Sequence, residues 1–202
     1  EITDLTQIDE VKNLGGTRNL KNLIKQFAEK RLWQPEKGYY KIHVHVESGG
    51  EHDFAEDDIF ALGGNITAIE SGLASTNQTK LIVRTILERQ SKYDISTIGA
   101  VLLPPYPANT FENPIMDQRF EYQNGGQWDW FGARAAKIVS DIDRSLGVKK
   151  LLEIAQKVVR NGAFYEWDSP TGEPEAGKDR RAGAAAFFIA MHDMLKNAES
   201  MK

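Results

Sequence analysis

The stretch Tyr122-Gln123-Asn124-Gly125-Gly126-Gln127-Trp128-Asp129-Trp130 closes a long irregular segment and opens a helical one. Amides, paired glycines, an acid and clustered aromatic rings are the ingredients of a sugar-binding cleft. Aromatic faces stack on pyranose C–H surfaces while amides and carboxylates satisfy hydroxyls. The competing reading is a turn anchored by one core tryptophan, with Asn-Gly-Gly supplying turn chemistry. Two tryptophans within three residues exceed what a turn needs. The stretch therefore predicts a subsite with Trp128 or Trp130 as platform and Gln123, Asn124 and Asp129 as hydroxyl partners. Further along, Phe164-Tyr165-Glu166-Trp167-Asp168 sets a carboxylate between aromatic neighbours. Such a setting tunes a carboxyl pKa for acid or base work, which makes Glu166 a candidate general base. A solvated loop carboxylate is the alternative, and Glu173 and Glu175 compete for the role.

Around these motifs the dominant period is helical. After Thr17 as a possible N-cap, Leu20, Leu23, Ile24 and Phe27 form one apolar stripe. Lys37-Gly38 breaks it, and Tyr39 to Val46 alternates like a short strand that Ser48-Gly49-Gly50 turns. A second helix is expected from near Asp53 or Ala55, with Glu56, Asp57 and Asp58 in its first turn and Ile59, Leu62, Ile66, Ile69 and Leu73 on its buried face. Ser75-Thr76-Asn77 caps a third, with Leu81, Ile82, Thr85, Ile86 and Leu87 facing inward. From Ser96 to Gln127 regular periodicity fades, and Pro104, Pro105, Pro107 and Pro114 impose extended or turned backbone. A fourth helix is expected from about Phe131 to Leu146, ending at Gly147 as C′ residue. A fifth carries Leu151, Leu152, Ile154, Ala155, Val158 and Val159 and stops at Asn161-Gly162. A loop over Asp168 to Gly177 precedes a last helix, from about Asp179 to Ala198, that packs Ala182, Ala184, Ala185, Phe188, Met191 and Leu195. Short turns and long loops alternate, so both motifs fall in long connections at one end of a helix-hairpin array.

The chain has 202 residues, a net charge of −4 and a pI near 5.6, with no Lys/Arg run, which argues against a nucleic-acid surface. Its hydrophobic and charged fractions, 41% and 27%, fit one globular core. No apolar stretch approaches membrane-spanning length, and no membrane partner is expected. Zero cysteines exclude disulfides, zinc fingers and thiol catalysis; they leave the compartment open, with the cytoplasm as working expectation. The chain begins at Glu1 without methionine or a signal-like segment, as a processed protein or a piece of a longer one would.

Other constellations carry less. On a strand His43, His45 and Glu47 would share one face with His52 nearby, and His-x-His-x-Glu could ligate a metal. The remaining histidine, His192, lies in the last helix, so strand histidines in polar surface contacts are the reading taken and no metal is expected. Asp57 and Asp58 are either substrate contacts or complements to a helix N-terminus. They precede Gly63-Gly64-Asn65, where each glycine costs a helix about 1 kcal/mol relative to alanine and so points to close approach of a backbone or ligand. Arg180-Arg181 reads as a solvated helix start. No P-loop, dinucleotide fingerprint or Ser-His-Asp order occurs.

Four pieces together resemble the C-terminal half of an (α/α)6-barrel glycoside hydrolase, in the style of glycogen-debranching-type glucosidases and neutral/alkaline invertases. Leu32-Trp33-Gln34-Pro35-Glu36-Lys37-Gly38-Tyr39 resembles the family's helix turning into a short strand. Asp57-Asp58-Ile59-Phe60-Ala61-Leu62-Gly63-Gly64-Asn65 resembles the opening of its next inner helix, and Tyr122 to Trp130 its Asn-Gly-Gly-x-Trp segment. Phe164 to Gly172 resembles its late acidic loop. The resemblance implies an all-α fold, an (α/α)6 toroid-type array amounting to about half a barrel, with a short β element near residues 39–46. It makes residues 1–202 one helical domain, the C-terminal part of a larger catalytic domain. It implies inverting hydrolysis of a glucan or gluco-oligosaccharide without cofactor, by two carboxyl groups roughly 6.5–9.5 Å apart. Glu166 matches the late-loop base, and the family's acid lies in the preceding half. Asp129 stands where relatives carry proline, which suggests a subsite residue. Asp58 joins Gln123, Asn124, Trp128, Asp129 and Trp130 as a substrate contact. An upstream segment of the same polypeptide, or a second copy, would complete the barrel. The alternatives are a non-catalytic carbohydrate-binding helical module that keeps the tryptophan platform, and a sugar epimerase or isomerase of the same barrel class, which would lean on histidines.

Overall fold

The computed structural model describes residues 17–44 and 54–199. Its elements in chain order are α1 (Thr17–Arg31), β1 (Trp33–Gln34), β2 (Tyr39–Tyr40), a 3₁₀ turn (Glu56–Asp58), β3 (Phe60–Ala61), α2 (Leu62–Glu70) and α3 (Thr76–Lys92). There follow β4 (Leu102–Leu103), the one-turn α4 (Pro114–Asp117), α5 (Asp129–Ile142), α6 (Arg144–Asn161), β5 (Trp167–Asp168), β6 (Pro174–Ala176) and α7 (Arg181–Glu199). The described chain is thus mostly helical, with only short strands. No described helix is long and apolar enough to cross a membrane.

Local chemistry sets most boundaries. At the start of α3, Ser75 and Gln78 form a reciprocal capping box, which satisfies two of the amides a helix start leaves unpaired. The same Gln78 donates to Glu29 of α1 at 2.8 Å, tying the two helices. α5 is the central helix: Ala133, Ala135, Ala136 and Val139 are fully buried, and their small size lets α6 and α7 pack along it. Helices α2 and α3 complete the core through Leu62, Ile66, Ile82 and Ile86.

Several boundaries depart from the sequence reading. The expected second helix begins only at Leu62. Phe60 and Ala61 instead pair with Leu103 and Leu102, and the Leu62 amide donates to Val101 O, so long-range pairing takes the backbone that a helix would use. The residue Asp53 and the segment 45–53 lie outside the described residues. The expected strand from Tyr39 is two residues long where described: Asn65 accepts from Tyr40 N at 2.9 Å and donates to Tyr40 O at 3.0 Å, so a side-chain amide stands in for the next strand.

The fourth helix stops at Ile142 rather than Leu146. Asp143 leaves helical geometry (φ −135°, ψ 100°), and its carboxylate accepts from Leu146 N to cap α6. Gly147 then falls inside α6, pressed so closely on Ser140 that no Cβ fits there. At the far end Gly162, at φ 75°, closes α6 as expected. The last helix presents the opposite face from the one expected. Gly183, Ala190 and Met194 are buried, whereas Phe188, Ile189 and Leu195 are 55%, 62% and 58% exposed. On α1, Leu23, Ile24 and Phe27 are likewise exposed, as are Leu152 and Val159 on α6.

The alternation of connections holds. Residues 71–75 and the single residue Asp143 make short turns between α2 and α3 and between α5 and α6. Residues 32–61, 93–128 and 162–180 make the long ones. Successive hairpins therefore bring the three long connections to one end. A run of backbone bridges stitches them there: β3 pairs with β4, Ala100 with Gln127, and Gln127 with Asp168.

Candidate functional site

Gln127 is the joint of this end. Its side chain is completely buried, and its Oε1 accepts from Thr97 N at 2.8 Å and Thr97 Oγ1 at 2.6 Å. Its Nε2 donates to Ser169 O and, at 3.0 Å, to Pro170 O. One amide thus satisfies backbone from both the second and the third long connection. Asn124 does the same within the second: it accepts from Tyr106 N at 2.7 Å and donates to Tyr106 O at 3.3 Å. Both amides of the Asn-Gly-Gly-Gln segment are occupied by the protein's own backbone. Gln123, by contrast, is exposed.

The two tryptophans separate. Trp128 is buried, donates its indole N–H to Tyr122 O at 3.0 Å, and stands 5.3 Å from the Tyr122 ring, so it anchors the turn. Trp130 is half-buried. It lines a cleft of about 590 Å³ with Tyr40, Gly63, Gly64, Phe131 and Arg134. Here the close approach expected at the inner-helix glycines is found at Gly63, where a Cβ would sit 2.7 Å from the Phe131 ring, and not at Gly64, where one would meet nothing within 4 Å. The Arg134 guanidinium lies 5.3 Å over the Trp130 ring and is held by Glu70 and Thr67.

Asp129 points the other way, into the protein. Its Oδ1 accepts from Lys157 Nζ at 2.7 Å, and the same ammonium donates to Asp168 Oδ2. All three side chains are almost wholly buried, with one net negative charge among them. Asp129 Oδ2 is the one buried side-chain polar atom among the described residues without a partner. Burial holds the Asp129 carboxyl above its ordinary value of 3.8 despite Lys157. It does the same for Asp168, with Asp129 adding to the rise. The native state therefore binds these protons more tightly than the unfolded chain. Stability from such a group is complete below pH 3.8 and is lost as pH rises through the raised native value. Asp129→Asn is expected to flatten the fall in stability as pH rises above 3.8, read as urea midpoints over a rising pH series. A wild-type midpoint that rises over the same range would show that attraction to Lys157 outweighs burial.

Glu166 lies on the ribbon formed by β5 and β6, beside the buried set. Its amide donates to Ala176 O at 2.8 Å, and its Oε1 stands 3.2 Å from Arg180 Nη2, with the carboxylate about one-fifth exposed. Asp58 is placed apart from this group, on the surface, with its carboxylate 2.6 Å from Lys37 and its backbone carbonyl accepting from Arg89. Asp57 pairs with Lys41 at 3.2 Å. Of the histidine group, His45, Glu47 and His52 lie outside the described residues. His43 Nε2 is 3.2 Å from Glu56 Oε2.

Four participants escape sequence reasoning. Glu56 accepts the Tyr106 hydroxyl proton donor at 2.7 Å, and burial followed by that carboxylate drives the Tyr106 pKa well up. Arg180 reads in the sequence as a solvated helix start and is in fact the partner of Glu166. Lys157 and Gln127 carry weak signals: a lysine three residues after the buried Ile154 sits on the packed side of α6, and a glutamine inside a glycine-rich turn invites a backbone partner. No protein-family profile matches this sequence, and no curated protein matches it.

Proposed function

We propose that the chain is the C-terminal half of the catalytic domain of an inverting, (α/α)6-toroid glycoside hydrolase acting on a glucan or gluco-oligosaccharide. The observation that carries this reading is the stitching of the three long connections at one end of a helix-hairpin array. It holds a carboxylate backed by an arginine (Glu166 with Arg180) on the third connection, next to the start of α5, where Trp130 lines a cleft between α1, α2 and α5. In this reading Glu166 is the base that takes a proton from the attacking water, and Trp130 stacks on a sugar ring. Gln123 is exposed and can meet a hydroxyl; Asp58, also exposed, would have to leave Lys37 to do so. Asn124, Trp128 and Asp129 then support the subsite from beneath, since their polar atoms face the protein.

The acid falls to the segment that completes the ring, because Asp129 is enclosed with Lys157. The same segment, or a second copy, would cover the exposed apolar faces of α1, α6 and α7. No cofactor enters the reaction. The second reading, a carbohydrate-binding helical module without hydrolysis, is favoured by one observation: among the described residues Glu166 pairs with a cation, Arg180, and with no second carboxylate.

The test is incubation of the assembled enzyme, with the segment or second copy that completes the ring, with maltose-type and branched gluco-oligosaccharides, following by NMR whether the first product has the inverted anomeric configuration. Inversion supports the hydrolase; saturable binding without hydrolysis supports the module. Under either reading Trp130→Ala is expected to weaken oligosaccharide binding about tenfold, a loss of about 1.4 kcal/mol in calorimetric titration, with folding retained. Unchanged affinity would move the platform elsewhere.

A further inference from the structure

Lysine is among the residues least often fully buried, and Lys157 is only 3% exposed. It lies one helical turn before the end of α6, between two carboxylates that belong to different elements: Asp129 at the start of α5 and Asp168 in β5. Asp168 is two residues beyond Glu166. Its backbone exchanges both hydrogen bonds with Gln127, each at 2.9 Å. The rest of the last turn of α6 grips the same ribbon. Asn161 and Arg160 each donate to Gly172 O at 2.9 Å, and Asn161 also reaches Asp168 Oδ1 at 3.4 Å. The ribbon is therefore held at its turn end and along β5, and the fixed end dictates where Glu166 projects.

We infer that Lys157 is a positioning residue, a buried ammonium that registers the Glu166 ribbon against the N-terminus of α5. Stability alone does not call for it, because a well-packed apolar set of the same volume stabilises a core as well as a buried ion set does. What the ion set adds is direction. One ammonium with two of its donors fixed by two carboxylates locks β5 to one place relative to α5, and a displacement of about 1 Å at a reacting group costs about 100-fold in rate. The inference rests on Glu166 as base.

The experiment pairs Lys157→Met with Lys157→Arg in the assembled enzyme that includes the segment supplying the acid. It reads kcat and KM on a gluco-oligosaccharide and hydrogen exchange at the amides of Glu166, Asp168 and Gly172 against those of Ile138 and Val139 in α5. For Lys157→Met the expected result is a fall in kcat of about 100-fold with KM within about twofold. Exchange should rise at the ribbon amides and stay unchanged in α5, and Lys157→Arg should recover part of both effects. Wild-type protection of the ribbon would overturn the inference, as would a loosened ribbon with unchanged kcat or an equal rise in exchange at α5. Should Lys157→Met fail to fold, the neutral triple variant Lys157→Met, Asp129→Asn, Asp168→Asn takes its place: a lowered kcat in that variant supports the inference and a wild-type kcat overturns it. Wild-type protein that binds but never hydrolyses would instead end the hydrolase reading. The exchange data would then decide by themselves whether Lys157 holds the ribbon.

Discussion

Gln127→Leu is expected to lower the free energy of unfolding by about 2–4 kcal/mol. The side chain is fully buried and leucine has similar volume, so little of the loss comes from packing. It comes from partners left behind: the Thr97 amide and hydroxyl lose their acceptor, while Ser169 O and Pro170 O each lose one donor and keep the Gly172 and Ser96 amides. A buried donor or acceptor without a partner costs about 1–3 kcal/mol. The four losses share one site and relax together, so they do not simply add. Because the amide joins residues 96–97 to residues 169–170, the destabilisation should also expose the ribbon to proteolysis earlier than the helices. Urea unfolding followed by circular dichroism measures the cost. Gln127→Glu sharpens the test. Its carboxylate keeps an acceptor for Thr97 but turns a second oxygen toward two carbonyls, so this variant should recover stability on acidification, when the carboxyl regains a proton to donate. A loss below about 1 kcal/mol in Gln127→Leu would mean that the loops are held by something other than this amide.

The helices are legible because local chemistry fixes them. The spacing of Ile82 and Ile86, the Ser75–Gln78 box and the glycine at 162 each act within a few residues. What escapes is anything decided across the chain. Nothing local in Phe60-Ala61 says that Leu102-Leu103 will pair with it and delay α2 to Leu62. Nothing in α7 says which of two apolar faces will be covered: Gly183, Ala190 and Met194 make as good a stripe as Phe188, Met191 and Leu195, and the first meets α5. The candidate site divides along the same line. The Asn-Gly-Gly segment is legible as special, since amides and glycines so clustered need partners. Whether those partners are hydroxyls of a ligand or carbonyls of a neighbouring loop depends on geometry, and for Asn124 and Gln127 it is the protein's backbone. Asp129 makes the same point in charge: its buried lysine partner stands 28 residues away in sequence, beyond the reach of any local pattern.

Glu166→Gln in the assembled enzyme tests the catalytic reading most directly, and kcat is expected to fall by at least about 10³-fold with oligosaccharide affinity and fold retained. Glutamine keeps the shape and a carbonyl acceptor for Arg180 but cannot take a proton from water. The ion pair it removes is half exposed on the arginine side, so stability should change by less than about 1 kcal/mol. The three acids of the late segment are not equivalent in their surroundings. Glu173 and Glu175 are exposed, whereas the Glu166 carboxylate is mostly covered, with its amide fixed to Ala176 O and an arginine at its side. A base that acts on a bound water needs a fixed position more than it needs exposure. Glu173→Gln and Glu175→Gln should therefore hydrolyse at close to the wild-type rate. If Glu166→Gln keeps its activity while one of the others loses it, the base lies on the β6 side of the ribbon, and the role of Lys157 would have to be re-argued from that strand. If all three keep activity, the late loop binds substrate without reacting, and both carboxyl groups of the mechanism lie elsewhere.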